Sequence, residues 1–268
     1  MAGVSSATLE AWAIPLVGAS AFDHTYVVSS CGLRWGCRGR SGGGLLLRGR
    51  VGNSAIADCL AGPNGDAGIK YGRTGVCHQI ANRILHPAGI TVAGCGGYTV
   101  SVAFWGERGL PPWPELQACY SSGTVPSTTS SVADGSAGQK WNLPTSGGVS
   151  YASQSDMEQT LTEFLKLAEE SLGHRIDEST RRSLRQIQKD YLRRQRQLVR
   201  TLDVGAMTPE EYLAQLNALL KAVMERMRVA LGEERFIIVF GDAGRHPESL
   251  VDRSTFIDAI ASERAALR

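Results

Sequence analysis

The chain changes character near residue 120, and this change limits the folds that it can adopt. All six cysteines of the 268-residue sequence lie within the first 119 residues, which are also rich in glycine and β-branched residues. Residues 121–154 are rich in Ser, Thr, Gly and Pro and lack apolar periodicity, a composition typical of a linker. We therefore predict an N-terminal domain over residues 1–120, a linker over 121–154 and a helical domain over 155–268.

The N-terminal domain combines strand-like and helix-like patterns. The predicted strands cover residues 12–18, 24–29, 44–51, 90–93 and 98–105. The last two flank Gly94-Cys95-Gly96-Gly97, which predicts a hairpin connection. A short helix at 53–60 and a clear helix that starts at Cys77 lie between the early strands and this hairpin. This order predicts an α+β fold rather than an alternating parallel sheet.

The C-terminal part predicts a helical bundle. Apolar residues at helical spacing define a first helix that stops near Gly173 and a second helix that carries many arginines. Thr208-Pro209-Glu210-Glu211 begins a third helix, because threonine is a good N-cap and proline suits the first helical position. Residues 236–240 predict a short strand or buried turn, and residues 254–266 a last helix.

Composition sets broad limits on function. With 43% hydrophobic and 20% charged residues and a net charge of +2, the chain resembles an ordinary globular protein. No apolar run reaches membrane-spanning length, and residues 1–20 lack the features of a secretory signal. We therefore expect a cytoplasmic protein with reduced cysteines and no membrane contact, although export by a route that needs no such signal stays open.

One cysteine lies where a thiol is easily activated. Cys77 follows the glycine-punctuated segment Tyr71-Gly72-Arg73-Thr74-Gly75-Val76 and begins the clear helix. The first turn of a helix carries unpaired N–H groups and the positive end of the helix dipole. Both favour the thiolate, so Cys77 is the candidate nucleophile.

A thiol nucleophile needs a base. The histidines of the chain are His24, His78, His86, His174 and His246. His78 follows Cys77 directly and points about 100° away from it on a helix, which makes it a poor base for that thiol. His24 begins a predicted strand, and an imidazole on a strand that faces a helix N-terminus suits proton transfer from a thiol. We predict His24 as the base.

The residue that orients His24 is less defined by the sequence. Asp58, Asn53 and Asp23 are the candidates, and we rank Asp58 first because a carboxylate also stabilises an imidazolium. We expect the backbone N–H of Cys77 to donate to an oxyanion.

These motifs resemble a known family over residues 12–105. The segment from Gly75 to Asn82 is similar to the cysteine-bearing helix of papain-like cysteine hydrolases, and His24 precedes Cys77 as in their circularly permuted branch, the NlpC-like and lecithin-retinol acyltransferase-like enzymes. The resemblance implies a papain-like antiparallel sheet with a Cys-bearing helix. It also implies attack on the carbonyl of a peptide or amide substrate, without a cofactor.

Simpler interpretations stand beside these hypotheses. Cys77 and His24 could both be buried core residues, since free cysteine is often buried. The pair Cys31 and Cys37 lacks the second pair that a structural zinc site needs, so we predict no metal. The alternative function is a non-catalytic scaffold that works through its Arg-rich bundle, by binding a protein partner or by self-association. The basic stripe does not by itself predict nucleic-acid binding, because such a run is commonly a solvated face.

Overall fold

The computed structural model describes residues 6–16, 21–36, 42–110, 119–120 and 154–266. Within these residues, four strands form one antiparallel sheet in the order β3-β2-β1-β4. The strands are β1 (Ser6–Pro15), β2 (Asp23–Ser29), β3 (Arg34–Gly36) and β4 (Leu45–Asn53). The sheet in the first part of the chain and the helices that follow it confirm the predicted α+β class.

The helices divide between the two parts of the chain. Those in the first part are α1 (Ser54–Ala61), α2 (Cys77–Ile84) and α3 (Tyr98–Trp105). Those in the second part are α4 (Gln154–Leu172), α5 (Glu178–Asp203), α6 (Pro209–Leu231), α7 (Glu233–Phe240) and α8 (Arg253–Ala266). Short 3-10 turns at His86–Ala88, Gly241–Arg245 and Pro247–Ser249 connect some of them.

Strand burial explains how the sheet packs. In β1, Ala7, Leu9, Ala11 and Ala13 are buried and alternate with more exposed residues, because successive strand side chains point to opposite faces. Strand β2 is buried along most of its length, since α2 packs against it. A polar side chain on β2 therefore needs a partner inside the protein.

The predicted hairpin over residues 90–105 is wrong. Residues 90–93 form no strand, and Tyr98–Trp105 is helix α3, which is buried on nearly all sides. A short run of apolar and β-branched residues does not distinguish a buried helix from a buried strand by its pattern. Gly97, with a φ of 76°, precedes the first residue of α3 and supplies a backbone conformation that favours glycine.

The helical part follows the predicted pattern with one exception. Thr208 caps α6: its side chain accepts from the backbone N–H of Glu211, whose carboxylate accepts from the backbone N–H of Thr208. The segment 236–240, predicted as a strand or buried turn, instead lies in α7, with Phe236 and Phe240 on its buried side.

The basic helix α5 forms several ion pairs with acidic residues. Among them are Arg181 with Glu169 and both Arg185 and Lys189 with Glu158. These pairs are partly or largely exposed, so each contributes little to stability. The ion pairs partly neutralise the basic face of α5, on which the alternative function as a non-catalytic scaffold depends.

The two parts share one core. The ring of Phe104 in α3 lies 4.9 Å from the ring of Tyr191 in α5, and the Gln188 side chain donates to the carbonyl of Ala103 at 3.0 Å. Buried residues from the sheet, from α2 and from the C-terminal helices form one continuous cluster. The predicted linker lies almost entirely outside the described residues.

The expectation that all cysteines are reduced is wrong for one pair. Cys59 of α1 and Cys119 form a disulfide, with their Cα atoms 5.9 Å apart. Sequence spacing did not reveal this proximity, because the two residues are 60 positions apart. Cys31, Cys77 and Cys95 carry free thiols, and Cys37 lies outside the described residues. Among the described helices, none is long and apolar enough to cross a membrane.

Candidate active site

The segment before α2 forms a tight turn. The N–H of Gly72 donates to the carbonyl of Gly75 at 2.8 Å, and Gly72 has a φ of 71°. The N–H of Val76 donates to the side-chain oxygen of Gln79 at 3.0 Å, which caps the helix. As predicted, Cys77 is the first residue of α2.

The thiol of Cys77 donates to the backbone carbonyl of Asp23, with sulfur and oxygen 3.8 Å apart, and a hydrogen-bonding interaction with the His24 side chain acts on its pKa. Burial, the largest single influence, raises the pKa of Cys77. The hydrogen bond and charge of His24, with further hydrogen bonds from the backbone and hydroxyl of Thr25, outweigh it and lower this pKa below its ordinary value. The thiolate is therefore stabilised in a site where burial alone would suppress it.

His24 reaches this position because of strand register. It lies near the start of β2, opposite Ile14 of β1, and is buried. Strand β2 packs against α2, so the imidazole and the helix N-terminus meet. The structure thus brings together the two residues that the sequence analysis paired.

The imidazole of His78 contacts the same backbone carbonyl as the Cys77 thiol, that of Asp23 on β2. It is fully buried, and burial, with the charge of His24, lowers its pKa to about 4 although a hydrogen bond to Asp23 opposes this. A neutral imidazole has one N–H. The carbonyl of Asp23, 3.2 Å from Nε2, can only accept, so Nε2 carries the hydrogen. Nδ1 lies 2.9 Å from the Ser101 hydroxyl, which itself donates to the carbonyl of Tyr98. His78 therefore anchors α2 to β2.

Cys95 provides a contrast within the same neighbourhood. Both Cys95 and Cys77 are 6% exposed. Burial, followed by the charges of Cys77 and Asp23, raises the pKa of Cys95 well above its ordinary value. Two equally buried thiols thus differ in the direction of their pKa shift, and the hydrogen bond from His24 is a main cause of this difference.

The predicted orienting residues have other partners. Asp58 accepts from the indole N–H of Trp35 at 3.0 Å, and Asn53 caps α1. The carboxylate of Asp23 accepts from the N–H of Gly96 at 2.6 Å. Asp58 is not among the described residues that line the pocket around Cys77, so these contacts do not support the first-ranked candidate.

A small pocket opens beside Cys77 and His24. The pocket is narrow, and its interior has room for about one water molecule. The residues that line it are Leu16, Phe22, Asp23, His24, Tyr71, Val76, Cys77, His78, Leu250, Asp252 and Thr255. The walls combine apolar side chains with polar and titratable ones, and the C-terminal segment supplies one side.

Sequence reasoning missed this C-terminal wall. Asp252 caps α8 by accepting from the N–H of Thr255 at 2.8 Å, and its own N–H donates to the Tyr71 hydroxyl at 3.2 Å. The Asp252–Thr255 spacing is a readable N-cap signal. Nothing in the sequence indicates that this cap adjoins a residue 181 positions earlier.

Neither a metal-binding cluster in the described residues nor a similarity to known proteins adds to this description of the site. Within the described residues, no group of three or more His, Cys, Asp or Glu side chains could hold a metal ion. Comparison of the chain with protein-family models, curated proteins and solved structures gives no match.

Proposed function

We propose that the protein is a cysteine-dependent hydrolase or acyl-transfer enzyme that acts on an amide through Cys77 and His24. The observation that carries this proposal is that the two side chains line the same pocket, where His24 helps to lower the pKa of Cys77. Perturbed titratable groups that meet in a pocket are typical of catalytic sites.

The reaction would start from a thiolate and an imidazolium. The Cys77 sulfur attacks the carbonyl carbon of the amide and forms a tetrahedral oxyanion. His24 donates its proton to the nitrogen as the C–N bond breaks, so the amine leaves and a thioester remains. Water then gives a proton to His24 while its oxygen attacks the thioester. Loss of the thiolate releases the carboxylic acid, and an amine in place of water would give acyl transfer.

The start of α2 suits the developing oxyanion. Cys77 is the first residue of the helix, so its backbone N–H has no acceptor within the helix. We assign this N–H as an oxyanion donor. Gln79 is not assigned this role, since its amide nitrogen donates to Ser101 and Gly106.

The same features support membership of the papain-like superfamily as part of the proposal. The cysteine begins a helix, and the histidine lies on a strand that packs against this helix. The histidine also precedes the cysteine in the chain, as in the permuted branch. On this view, the C-terminal helices complete the pocket through Leu250, Asp252 and Thr255.

Turnover of a panel of peptide p-nitroanilides tests the proposal. We expect Cys77→Ala and His24→Ala each to abolish release of nitroaniline while the far-ultraviolet circular dichroism stays unchanged. His174→Ala is the matched control, because His174 is exposed and its ring bonds the neighbouring Arg175 carbonyl. Full turnover in either of the first two variants would refute the assignment.

A further inference from the structure

The segment that delivers the nucleophile is held by the C-terminal helices. The hydroxyl of Tyr212 in α6 donates to the carbonyl of Gly72 at 3.0 Å. The side-chain amide of Gln195 in α5 donates to the carbonyl of Arg73. Two successive carbonyls, four and five residues before Cys77, are thus bound by distant helices.

Arg73 adds a buried ionic contact. Its side chain is 3% exposed, and its guanidinium bonds Asp203, the last residue of α5, at 3.0 Å. The same group also bonds both carboxylate oxygens of Glu263 in α8. A buried guanidinium is tolerated only when it is paired, so displacement of the segment would leave a charge without its partners.

Close packing fixes the same segment sterically. A Cβ atom at Gly72 would lie 2.9 Å from the ring of Phe256 and 3.0 Å from the side chain of Val251. Phe256 stacks on Tyr212 with ring centroids 5.3 Å apart. The backbone of the segment therefore lies directly on α6 and α8.

We propose that Arg73 is a positioning residue through which the C-terminal helices set the reactivity of Cys77. This inference rests on the proposed pairing of Cys77 with His24. If α5 and α8 hold Arg73, they hold the start of α2 against β2. Loosening this contact moves the thiol relative to the imidazole and raises the pH at which Cys77 becomes reactive.

The test compares two substitutions with two matched controls. Glu263→Gln removes one carboxylate from Arg73, whereas Glu225→Gln removes the carboxylate of the exposed Arg228–Glu225 pair, on α6. Tyr212→Phe removes the hydroxyl that bonds Gly72 but keeps the stacked ring. Its control is Tyr191→Phe, because the buried Tyr191 hydroxyl has no hydrogen-bond partner in the described structure.

The readout is the pH profile of Cys77 alkylation by iodoacetamide, with thermal unfolding measured in parallel. In Glu263→Gln, we expect the midpoint of the alkylation profile to rise by about one pH unit, which lowers the alkylation rate at pH 6 about tenfold. In Tyr212→Phe, the midpoint should rise by less. Both controls should superimpose on the wild type.

The outcomes separate this inference from the proposed function. A reactive wild-type Cys77 whose profile is unchanged in a folded Glu263→Gln protein would overturn the role of Arg73 alone. If Glu263→Gln does not fold, Asp203→Asn, which removes the other carboxylate from Arg73, replaces it, and an unchanged profile in that variant overturns the role of Arg73. A wild-type Cys77 that reacts no faster than Cys95 would overturn the proposed function and this inference with it.

Discussion

The imidazole of His24 on β2 and the thiol of Cys77 at the first position of α2 line the same pocket, and His24 acts on the pKa of this thiol. Burial opposes ionisation of this thiol, yet the pKa of Cys77 is lowered. The electrostatic effect of one neighbouring side chain thus contributes to overcoming a desolvation cost. This relationship is the basis of the proposed chemistry and of the first prediction.

Substitution of His24 should suppress the reactivity of Cys77 at acidic pH. In His24→Ala, burial still raises the pKa of Cys77, whereas the hydrogen bond and charge of His24 are gone and only the hydrogen bonds of Thr25 still lower it. We expect alkylation of Cys77 at pH 6 to slow by at least about tenfold, since one pKa unit changes the thiolate fraction tenfold. Residue-resolved mass spectrometry measures the rate, and an unchanged rate would show that His24 does not activate the thiol.

His78 should make the protein sensitive to acid. Its folded pKa of about 4 lies below the ordinary 6.5, so the unfolded state binds more protons between these pH values. The contribution of neutral His78 to the free energy of unfolding should be complete above pH 6.5. As the pH drops toward 4, the free energy of unfolding should decrease by about 3 kcal/mol.

Urea unfolding of His78→Gln and His174→Gln at pH 7 and pH 4.5 checks this effect. We expect the His78 variant to be less stable at pH 7, because contacts to Asp23 and Ser101 change. Its stability should nevertheless depend less on pH than that of the wild type or of the His174 variant. The same pH dependence in all three proteins would contradict the account.

The Cys59–Cys119 disulfide should contribute measurably to stability. It closes a loop of 60 residues, and bridges of this kind typically stabilise by about 2–4 kcal/mol through the unfolded state. We expect Cys59→Ser to lower the free energy of unfolding by this amount in non-reducing urea titrations. Cys31→Ser, which removes an exposed free thiol, should have little effect. Equal stability of the two variants would argue against the bridge.

Gly97 should tolerate no side chain at the start of α3. It has a φ of 76°, and an added Cβ would lie 2.2 Å from the ring of Phe22, which lines the pocket. Gly94 also has a positive φ, of 99°, but faces open space. We expect Gly94→Ala to cost about 1–2 kcal/mol from backbone strain alone and Gly97→Ala clearly more. Similar losses in thermal or urea unfolding would show that the predicted clash is relieved cheaply.

Sequence patterns predicted the elements that carry local signals. Helix α2 has an apolar face and glycines before it, and α6 has a threonine cap with a following proline. The segment that forms β2 is rich in β-branched residues, which is a local signal for a strand. Strand β4 was also predicted, although its sequence has one β-branched residue and no regular alternation. Helix α3 was not predicted, because a helix that is buried on all sides has no polar face and therefore lacks the amphipathic 3.6-residue period that identifies a helix.

The candidate site was only partly predictable for a related reason. Cys77 and His24 could be paired because each lies at a recognisable element boundary. The side of the pocket formed by Leu250 and Asp252 depends on long-range packing between the segment before α2 and the segment before α8. No periodic pattern in either of these segments indicates this contact. Asp58 was ranked from charge alone, and the structure shows that its carboxylate bonds Trp35.

The relative alkylation rates of Cys77 and Cys95 in the wild-type protein at pH 6 test the central claim most directly. The two thiols are equally buried, at 6% exposure, so exposure alone does not separate them. If His24 activates Cys77, mass spectrometry should find Cys77 labelled far faster than Cys95, whose pKa is raised. Equal rates, or faster labelling of Cys95, would contradict the account.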